Sequence, residues 1–332
     1  MKIDIFAHII PVKYKEALYR IAPTGFYLED VIETLPTLFD LERRFRIIDK
    51  YEGLRQVLTL SLPPVEYIAN PQNAVELARL ANEEMAELVL KYPDRFMAAV
   101  ACLPLNNMEA ALQEVDRALN DLKLKGVQVF TNVNDRPLDS PEFMPLYEKM
   151  ARYDLPIWIH PTRTVDFADY RTEKKSKYMI FSNFGWPYET TAAMTRLVFA
   201  GVLEKYPSLK IITHHCGGMV PFFEQRIIGA YDHARILRHA DYTETLSKPP
   251  VEYFRMFYAD TAIYGSIPGL MCGYAFFGAE HMLFGTDMPY DSEFGDRYTR
   301  QTIRSIEQMD ISDLEKKKIF EDNARRLLRL PI

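Results

Sequence analysis

The sequence predicts an α/β fold of the (β/α)8 or TIM barrel type, and three observations favour it. Short β-branched or aromatic segments recur eight times, and segments of helical periodicity separate them. The length of 332 residues is ordinary for such a barrel, which needs about 250 residues plus insertions. Alternating strands and helices build a parallel sheet, and eight units indicate closure, with an open doubly wound sheet as the alternative. The predicted strands lie at about 2–7, 56–61, 96–103, 126–131, 156–160, 209–214, 256–260 and 281–286.

The helices between these strands are clearest in the first half of the chain. Residues 71–92 carry apolar side chains at the i, i+3, i+4, i+7 spacing of an amphipathic helix, and residues 108–122 repeat the pattern. A third helix follows residue 190, for which Thr190 or Thr191 is a candidate N-cap. We interpret residues 1–332 as a single barrel domain.

Two segments are longer than a minimal barrel requires, at about 12–45 and 161–195. Each follows the carboxyl end of a predicted strand, which is the catalytic face of this fold. We therefore expect insertions in the βα loops that cover a substrate.

Composition excludes several classes of function. The chain is 48% hydrophobic and 26% charged with a net charge of −6, which is typical of a globular protein and argues against disorder or a nucleic-acid partner. No apolar run reaches the roughly 18 residues needed to span a membrane. The amino terminus lacks the features of a signal peptide, and the three cysteines form no CxxC pair. We expect a cytoplasmic protein.

Histidines and carboxylates stand at the ends of the predicted strands. His8 ends the first strand, His160 the fifth, and Asp287 follows the eighth. All strand ends of a parallel barrel open at one mouth, so these side chains should converge. Two imidazoles and a carboxylate suit a divalent metal, for which zinc is the first candidate and manganese, magnesium or iron are alternatives. A single histidine at a strand end is more often a hydrogen-bonded core residue than a ligand, but three such groups at one mouth favour a metal.

Other groups near the predicted mouth are candidates for acid-base work or substrate binding. His215, after the sixth strand, is the candidate acid or base, and Asp287 is a second catalytic candidate. Arg163, on the loop after His160, can bind an anion or be a surface charge. Trp186 suits a planar substrate, although 13% aromatic content makes chance placement an alternative.

Short motifs in a common order carry a family resemblance across nearly the whole chain. Examples are Pro-Ile-Trp-Ile-His-Pro at 156–161, His-Cys-Gly-Gly at 215–218 and Phe-Gly-Thr-Asp at 284–287. With the motifs at 1–11, 92–96, 189–192, 201–204, 207–210 and 323–324, the chain resembles the amidohydrolase superfamily. The similarity is to the branch of aminocarboxymuconate-semialdehyde and resorcylate-type decarboxylases.

The resemblance implies roles for individual residues. His8, His160 and Asp287 match metal ligands, and His215 matches the catalytic histidine. Arg46 stands where the decarboxylases place an arginine that grips the substrate carboxylate, a task suited to a planar guanidinium. The alternative is that Arg46 belongs with its neighbours to a solvated helix face. Relatives of this branch pair as dimers, which implies a homodimer or higher homo-oligomer.

One position departs from the pattern of the family. Relatives carry His or Glu as the first member of the amino-terminal metal pair, where this chain has Phe6. Three interpretations follow: a site with three protein ligands, which we favour, recruitment of another group such as His214 or His215, or loss of the metal.

Three functions are therefore compared. The resemblance favours a metal-dependent decarboxylase that acts on an aromatic or conjugated unsaturated carboxylic acid. The same residues could form a hydrolase of a lactone, cyclic amide or diketone. A metal-free binding protein on the same scaffold is the third possibility.

Overall fold

The computed structural model of the protein describes residues 1–237 and 246–330. Its strands are β1 (Lys2–Ile9), β2 (Leu54–Leu60), β3 (Phe96–Ala99), β4 (Ala101–Cys102), β5 (Val127–Phe130), β6 (Asn132–Val133), β7 (Arg136–Pro137), β8 (Ile157–His160), β9 (Ile211–Thr213), β10 (Tyr258–Asp260) and β11 (Met282–Leu283). Its α-helices are α1 (Val12–Ile21), α2 (Glu29–Thr34), α3 (Leu41–Ile48), α4 (Val65–Ile68), α5 (Pro71–Lys91), α6 (Met108–Asn120), α7 (Met144–Tyr153), α8 (Ile180–Asn183), α9 (Gly185–Phe199), α10 (Val202–Lys205), α11 (Glu224–Leu237), α12 (Pro250–Phe254), α13 (Ile267–Phe277), α14 (Asp296–Glu307), α15 (Asp313–Lys317) and α16 (Asn323–Leu328).

The parallel strands follow the order predicted for a barrel. One sheet has the order β1-β2-β3 and another the order β11-β10-β9-β8-β5-β4, while β6 and β7 form a small antiparallel ribbon. The two parallel sheets meet at one seam between β3 and β4, where the Val100 amide donates to the Leu58 carbonyl. At the other seam the Ile5 amide donates to the Phe284 carbonyl, and Ala7 bridges to Met288. All eight predicted strands are present, which confirms the α/β barrel prediction.

The interior of the barrel is apolar at the end opposite the mouth. A buried cluster combines inward residues of several strands with the last helix, α16. Its fully buried members include Ile3, Ile5, Trp158, Ile212 and Leu283. Strands of a parallel sheet are buried on both faces, which explains why they are continuous apolar runs in the sequence. The polar side chains of the strands therefore collect at the opposite, carboxyl end.

The helices largely follow the predicted bounds. Helix α5 begins after Asn70 and α6 after Asn107, and each cap side chain accepts a hydrogen bond from the backbone amide three residues on. The prediction of an N-cap at Thr190 or Thr191 was wrong, because α9 already begins at Gly185 and both threonines lie inside it. Within the described ranges, no helix combines the length and apolarity needed to cross a membrane.

Both long βα segments contribute to the mouth of the barrel. The segment after β1 contains α1 and α2, and Leu28 and Val31 from it line a cavity at the mouth. The segment after β8 contains α8 and the start of α9, and Phe181 and Trp186 from it line the same cavity. The expected insertions thus wall the mouth.

Candidate active site

Four buried side chains converge at the mouth of the barrel. His8 lies in β1, His160 is the last residue of β8, His214 follows β9, and Asp287 follows β11. One ligand atom from each lies within 4.8 Å of those from the other three. The predicted trio of His8, His160 and Asp287 is therefore brought together, and His214 joins it.

The three imidazoles of this cluster are oriented in the same way. His160 Nδ1 lies 2.7 Å from the backbone carbonyl of the next residue, and His214 Nδ1 contacts Asp260 Oδ2. His8 Nδ1 lies 3.1 Å from Thr59 Oγ1. A carbonyl and a carboxylate only accept, so Nδ1 of His160 and His214 carries the proton. The Nε2 lone pair of neutral His160 is then free, as metal-binding histidines require, whereas His214 Nε2 is hydrogen-bonded to Asp287 Oδ1 and a bound cation would displace its proton.

Asp287 is the common partner of the histidines. Its Oδ1 lies 3.2 Å from Nε2 of both His8 and His214, and its Oδ2 lies 3.8 Å from His215 Nε2. The Tyr264 hydroxyl donates to Oδ2 over 2.8 Å. His8 Nε2 is buried and misaligned for a hydrogen bond with Asp287 despite the short distance. An unpartnered imidazole nitrogen beside a carboxylate is a donor set that fits zinc or manganese.

Burial and charge shift the protonation equilibria of the cluster. Burial lowers the pKa of His8 and lowers that of His160 well below its usual value. Burial opposes protonation of His214 too, but the carboxylates of Asp260 and Asp287 raise the pKa of His214 to about 9. Burial would raise the pKa of Asp287, but the charge and hydrogen bonds of the histidines lower it well below the usual range.

Three residues of the site hold left-handed backbone conformations. The φ angles are 53° at His215, 56° at Tyr264 and 62° at Asp287. Such values are unusual for residues other than glycine and concentrate at functional sites. Gly217 and Gly218 follow His215 with φ of 75° and 62°, and a Cβ on Gly218 would lie 2.5 Å from the Pro187 carbonyl. The turn therefore requires glycine for both space and conformation.

The cluster faces a cavity of about 550 Å³ with aromatic walls. The Trp186 ring lies 21° from parallel to the His215 ring, with centroids 6.5 Å apart. Tyr264 stacks on Tyr298 with centroids 4.1 Å apart. Walls of this kind suit a flat, unsaturated ligand. None of the described residues that line this cavity is a lysine or an arginine.

The structure places the Arg163 side chain beside a second cavity at the mouth. This cavity is also about 550 Å³ in volume, and Arg163 Nη1 pairs there with Glu189 Oε1 at 2.9 Å. The guanidinium lies 3.7 Å from the Phe167 ring centroid. The Arg163 backbone carbonyl accepts a 3.1 Å hydrogen bond from Nε1 of Trp186, which lines the first cavity. Of the predicted substrate-binding residues, Trp186 alone lines the cavity of the cluster.

Arg46 is not brought to either cavity. Its side chain is 60% exposed and pairs with Glu42 one turn earlier on α3 at 2.6 Å. Arg44, on another face of the same helix, is fully buried, and its guanidinium donates to the His8 carbonyl over 2.8 Å and to Gln56 Oε1 over 2.8 Å. The alternative of a solvated helix face therefore holds for Arg46 and fails for Arg44. The buried arginine supports the strand that carries His8.

Sequence reasoning overlooked Tyr264. The hydroxyl of this residue lies 3.3 Å from His215 Nε2 and donates to Asp287, so it connects the catalytic candidate to the cluster. The available signal was its place four residues after Asp260, at the carboxyl end of the seventh barrel strand. Asp260 itself bonds His214 and the backbone amides of Cys216 and Ala262, which gives it an orienting position.

The chain is similar to known proteins over nearly its whole length. The sequence model of the amidohydrolase family, described as "Amidohydrolase", matches residues 3–330. A gamma-resorcylate decarboxylase from Polaromonas sp. is 31% identical over 91% of this chain and 91% of its own length. A 2-amino-3-carboxymuconate-6-semialdehyde decarboxylase from Dictyostelium discoideum is 27% identical over 99% of this chain and 92% of its own length.

A solved structure extends the comparison to three dimensions. The dihydroxybenzoic acid decarboxylase from Polaromonas sp., with bound manganese and the inhibitor 2-nitroresorcinol, superposes with a TM-score of 0.82. The two proteins are 27% identical, and the match covers 99% of this chain and 96% of the other. The relatives named here are decarboxylases, and this one holds a divalent metal.

Proposed function

Because this chain belongs to the amidohydrolase family, we propose that it is a metal-dependent carboxy-lyase that removes CO2 from an aromatic carboxylic acid. The observation that carries the proposal is the convergence of three histidines on Asp287 in an aromatic-walled cavity. The decarboxylase activity of the relatives supports it. Aromatic walls favour an aromatic over an open-chain conjugated substrate.

In this proposal His8, His160 and Asp287 hold one divalent metal. When bound, the ion would polarise a substrate oxygen and offset the negative charge of the carboxylate. Manganese is present in the Polaromonas structure, and zinc suits two imidazoles and a carboxylate equally. We propose zinc as the first candidate and manganese as its closest competitor.

The Trp186 and Tyr264 rings would hold the substrate ring flat against the cluster. His215 would supply the proton that forms the new C–H bond as the C–C bond to the carboxylate breaks and CO2 departs. Tyr264, 3.3 Å from His215 Nε2 and hydrogen-bonded to Asp287, would position the His215 ring and pass a proton to it. A ring hydroxyl next to the carboxylate would donate the electrons that make this carbon basic.

The assembly and location of the protein complete the proposal. We propose a homodimer, by analogy with the branch that the sequence resembles, and a cytoplasmic enzyme. The three cysteines are unpaired, which is compatible with a reducing compartment.

A substrate panel tests the proposal. The purified protein, reconstituted with Zn²⁺ or Mn²⁺, is incubated with 2,6-dihydroxybenzoate, 6-methylsalicylate and 5-carboxyvanillate, which appear in the names of relatives. We expect CO2 release with at least one of them and none from the metal-free protein. A parallel panel of lactones identifies the hydrolase alternative. A reconstituted protein that contains less than about a tenth of an equivalent of metal would contradict both the metal-dependent decarboxylase and the metal-dependent hydrolase.

A further inference from the structure

Three stacked rings, those of Phe6, His214 and His215, lie at the centre of the site and point to an additional ligand. Resting on the proposed metal site, we propose that His214 is the fourth protein ligand and that Phe6 holds its ring in place. Phe6 has no coordinating atom, so the strand that supplies His8 supplies only one ligand. His214, which follows β9 and stacks on Phe6, would then supply the missing ligand.

The position of His214 meets the geometric requirements of a ligand. Its side chain is fully buried, and its Nε2 lies 3.2 Å from Asp287 Oδ1, within the 4.8 Å span of the cluster. Its Nδ1 contacts Asp260 Oδ2, which fixes the ring with Nε2 directed toward Asp287 Oδ1. This arrangement of an imidazole backed by a carboxylate is common in metal sites.

Two aromatic neighbours prevent the His214 ring from turning away. Phe6 stacks on one face with centroids 4.0 Å apart and an interplanar angle of 21°. His215 covers the other face with centroids 4.0 Å apart and an angle of 29°. Phe6 is itself fully buried, and its carbonyl accepts the Asp287 amide over 3.1 Å. The stack therefore ties the position of His214 to the strand end that carries Asp287.

The same stack separates the tasks of two consecutive histidines. His214 is extended, with φ of −84°, whereas His215 has φ of 53°. Because of this change, His214 Nε2 approaches Asp287 Oδ1 at 3.2 Å, while His215 Nε2 stays 3.8 Å from Oδ2 and contacts Tyr264. Only His215 lines the cavity. Of the two, His214 thus faces the cluster and His215 the substrate.

Metal affinity, measured independently of turnover, tests this assignment. Metal-free wild type, His214→Ala and the control His215→Ala are titrated with Zn²⁺ by calorimetry, and the visible absorption of Co²⁺ reports the ligand set. We expect His214→Ala to lose more than the ~10- to 100-fold in affinity that follows loss of a residue that only orients a ligand. His215→Ala removes a ring that orients His214 but no ligand, so it should lose no more than that ~10- to 100-fold. Wild-type affinity in His214→Ala would overturn the proposal.

Two further variants control for misfolding and test whether residue 214 replaces residue 6 as a metal ligand. His214→Gln keeps a polar side chain and replaces His214→Ala if thermal unfolding shows that the alanine variant does not fold. Wild-type metal affinity in His214→Gln would likewise overturn the proposal. The double variant Phe6→His/His214→Ala places an imidazole on the other side of the stack and should regain most of the affinity. Without such recovery, the idea that residue 214 substitutes for residue 6 fails.

Failure of the His214 assignment can be distinguished from failure of the proposed function. A wild-type protein that binds neither Zn²⁺ nor Mn²⁺ contradicts the proposed metalloenzyme. A wild-type protein that binds metal and decarboxylates, with His214→Ala unchanged in affinity, contradicts only the role of His214.

Discussion

Two cavities of about 550 Å³ each open at the same mouth, and they differ in the partners of the charged side chains that line them. In the second cavity the two arginines are paired: Arg163 with Glu189, and Arg196 with Asp139. In the first cavity the charged carboxylate, Asp287, is surrounded by histidine nitrogens and the Tyr264 hydroxyl.

The difference teaches where chemistry can occur. Both arginines of the second cavity already have a carboxylate partner, so they leave little attraction for an anionic ligand. In the first cavity, by contrast, the unpartnered His8 Nε2 lies beside the buried Asp287 carboxylate, and this pair can bind a cation. Cavity size therefore does not separate the two sites, whereas the state of their charged groups does.

The largest effect is expected from removing the carboxylate of the first cavity. Asp287→Asn should lose metal and turnover together, by more than the ~10- to 100-fold typical of a group that only orients a ligand. Its matched control, Glu189→Gln in the second cavity, should keep the metal. Metal content and kcat/KM of both variants are the measurements. Equal metal loss in both would erase the distinction between the cavities.

The next effect concerns the group that faces the substrate. His215→Ala should retain metal but lower kcat by about 10²- to 10⁴-fold, the range for loss of a general acid or base. Kinetics on the best substrate of the panel, with metal content measured on the same sample, provide the check. Parallel loss of metal and rate would make His215 a ligand.

A smaller effect should appear in how the stability of the protein depends on pH, through a carboxyl group of the second cavity. Burial raises the pKa of Glu66, which lines this cavity, to about 7 from 4.5. The folded state then binds the proton more tightly than the unfolded state, so this contribution to stability is present below pH 4.5 and lost as pH rises to 7. Over that window the loss is about 3 kcal/mol, since one pKa unit corresponds to about 1.36 kcal/mol.

Replacement of this carboxyl tests the pH dependence. In Glu66→Gln the free energy of unfolding, from urea titrations at pH 5 and pH 8, should fall by about 2 kcal/mol less than in wild type. Identical pH dependence in the two proteins would mean that the pKa of Glu66 is the same in the folded and unfolded states. Metal content should be unchanged, because Glu66 belongs to the other cavity.

The smallest effect is expected outside both cavities. Arg46→Ala removes an exposed pair with Glu42, so the free energy of unfolding should change by less than about 0.5 kcal/mol. KM should also stay within about twofold of wild type, because the side chain lines neither of these two cavities. A tenfold rise in KM would restore the carboxylate-binding role that the resemblance implies.

The contrast between Arg44 and Arg46 shows where sequence reasoning reached its limit. Both lie on the short helix α3, and both are basic, so composition treats them alike. Arg44 is buried against the His8 carbonyl, whereas Arg46 is exposed. Which face of a helix packs against the barrel depends on the path of the chain between strand and helix, and periodicity within eight residues does not specify it.

The sequence by itself determined the eight strands and the placement of His8, His160 and Asp287 at their ends. Those features are local: apolar runs mark buried strands, and the end of a run marks the mouth. Only the tertiary structure decided that His214 faces the cluster while His215 faces the cavity, and that Tyr264 lies between His215 and Asp287. The physical reason is that these positions depend on left-handed turns and ring stacking between distant strands, which no local pattern records.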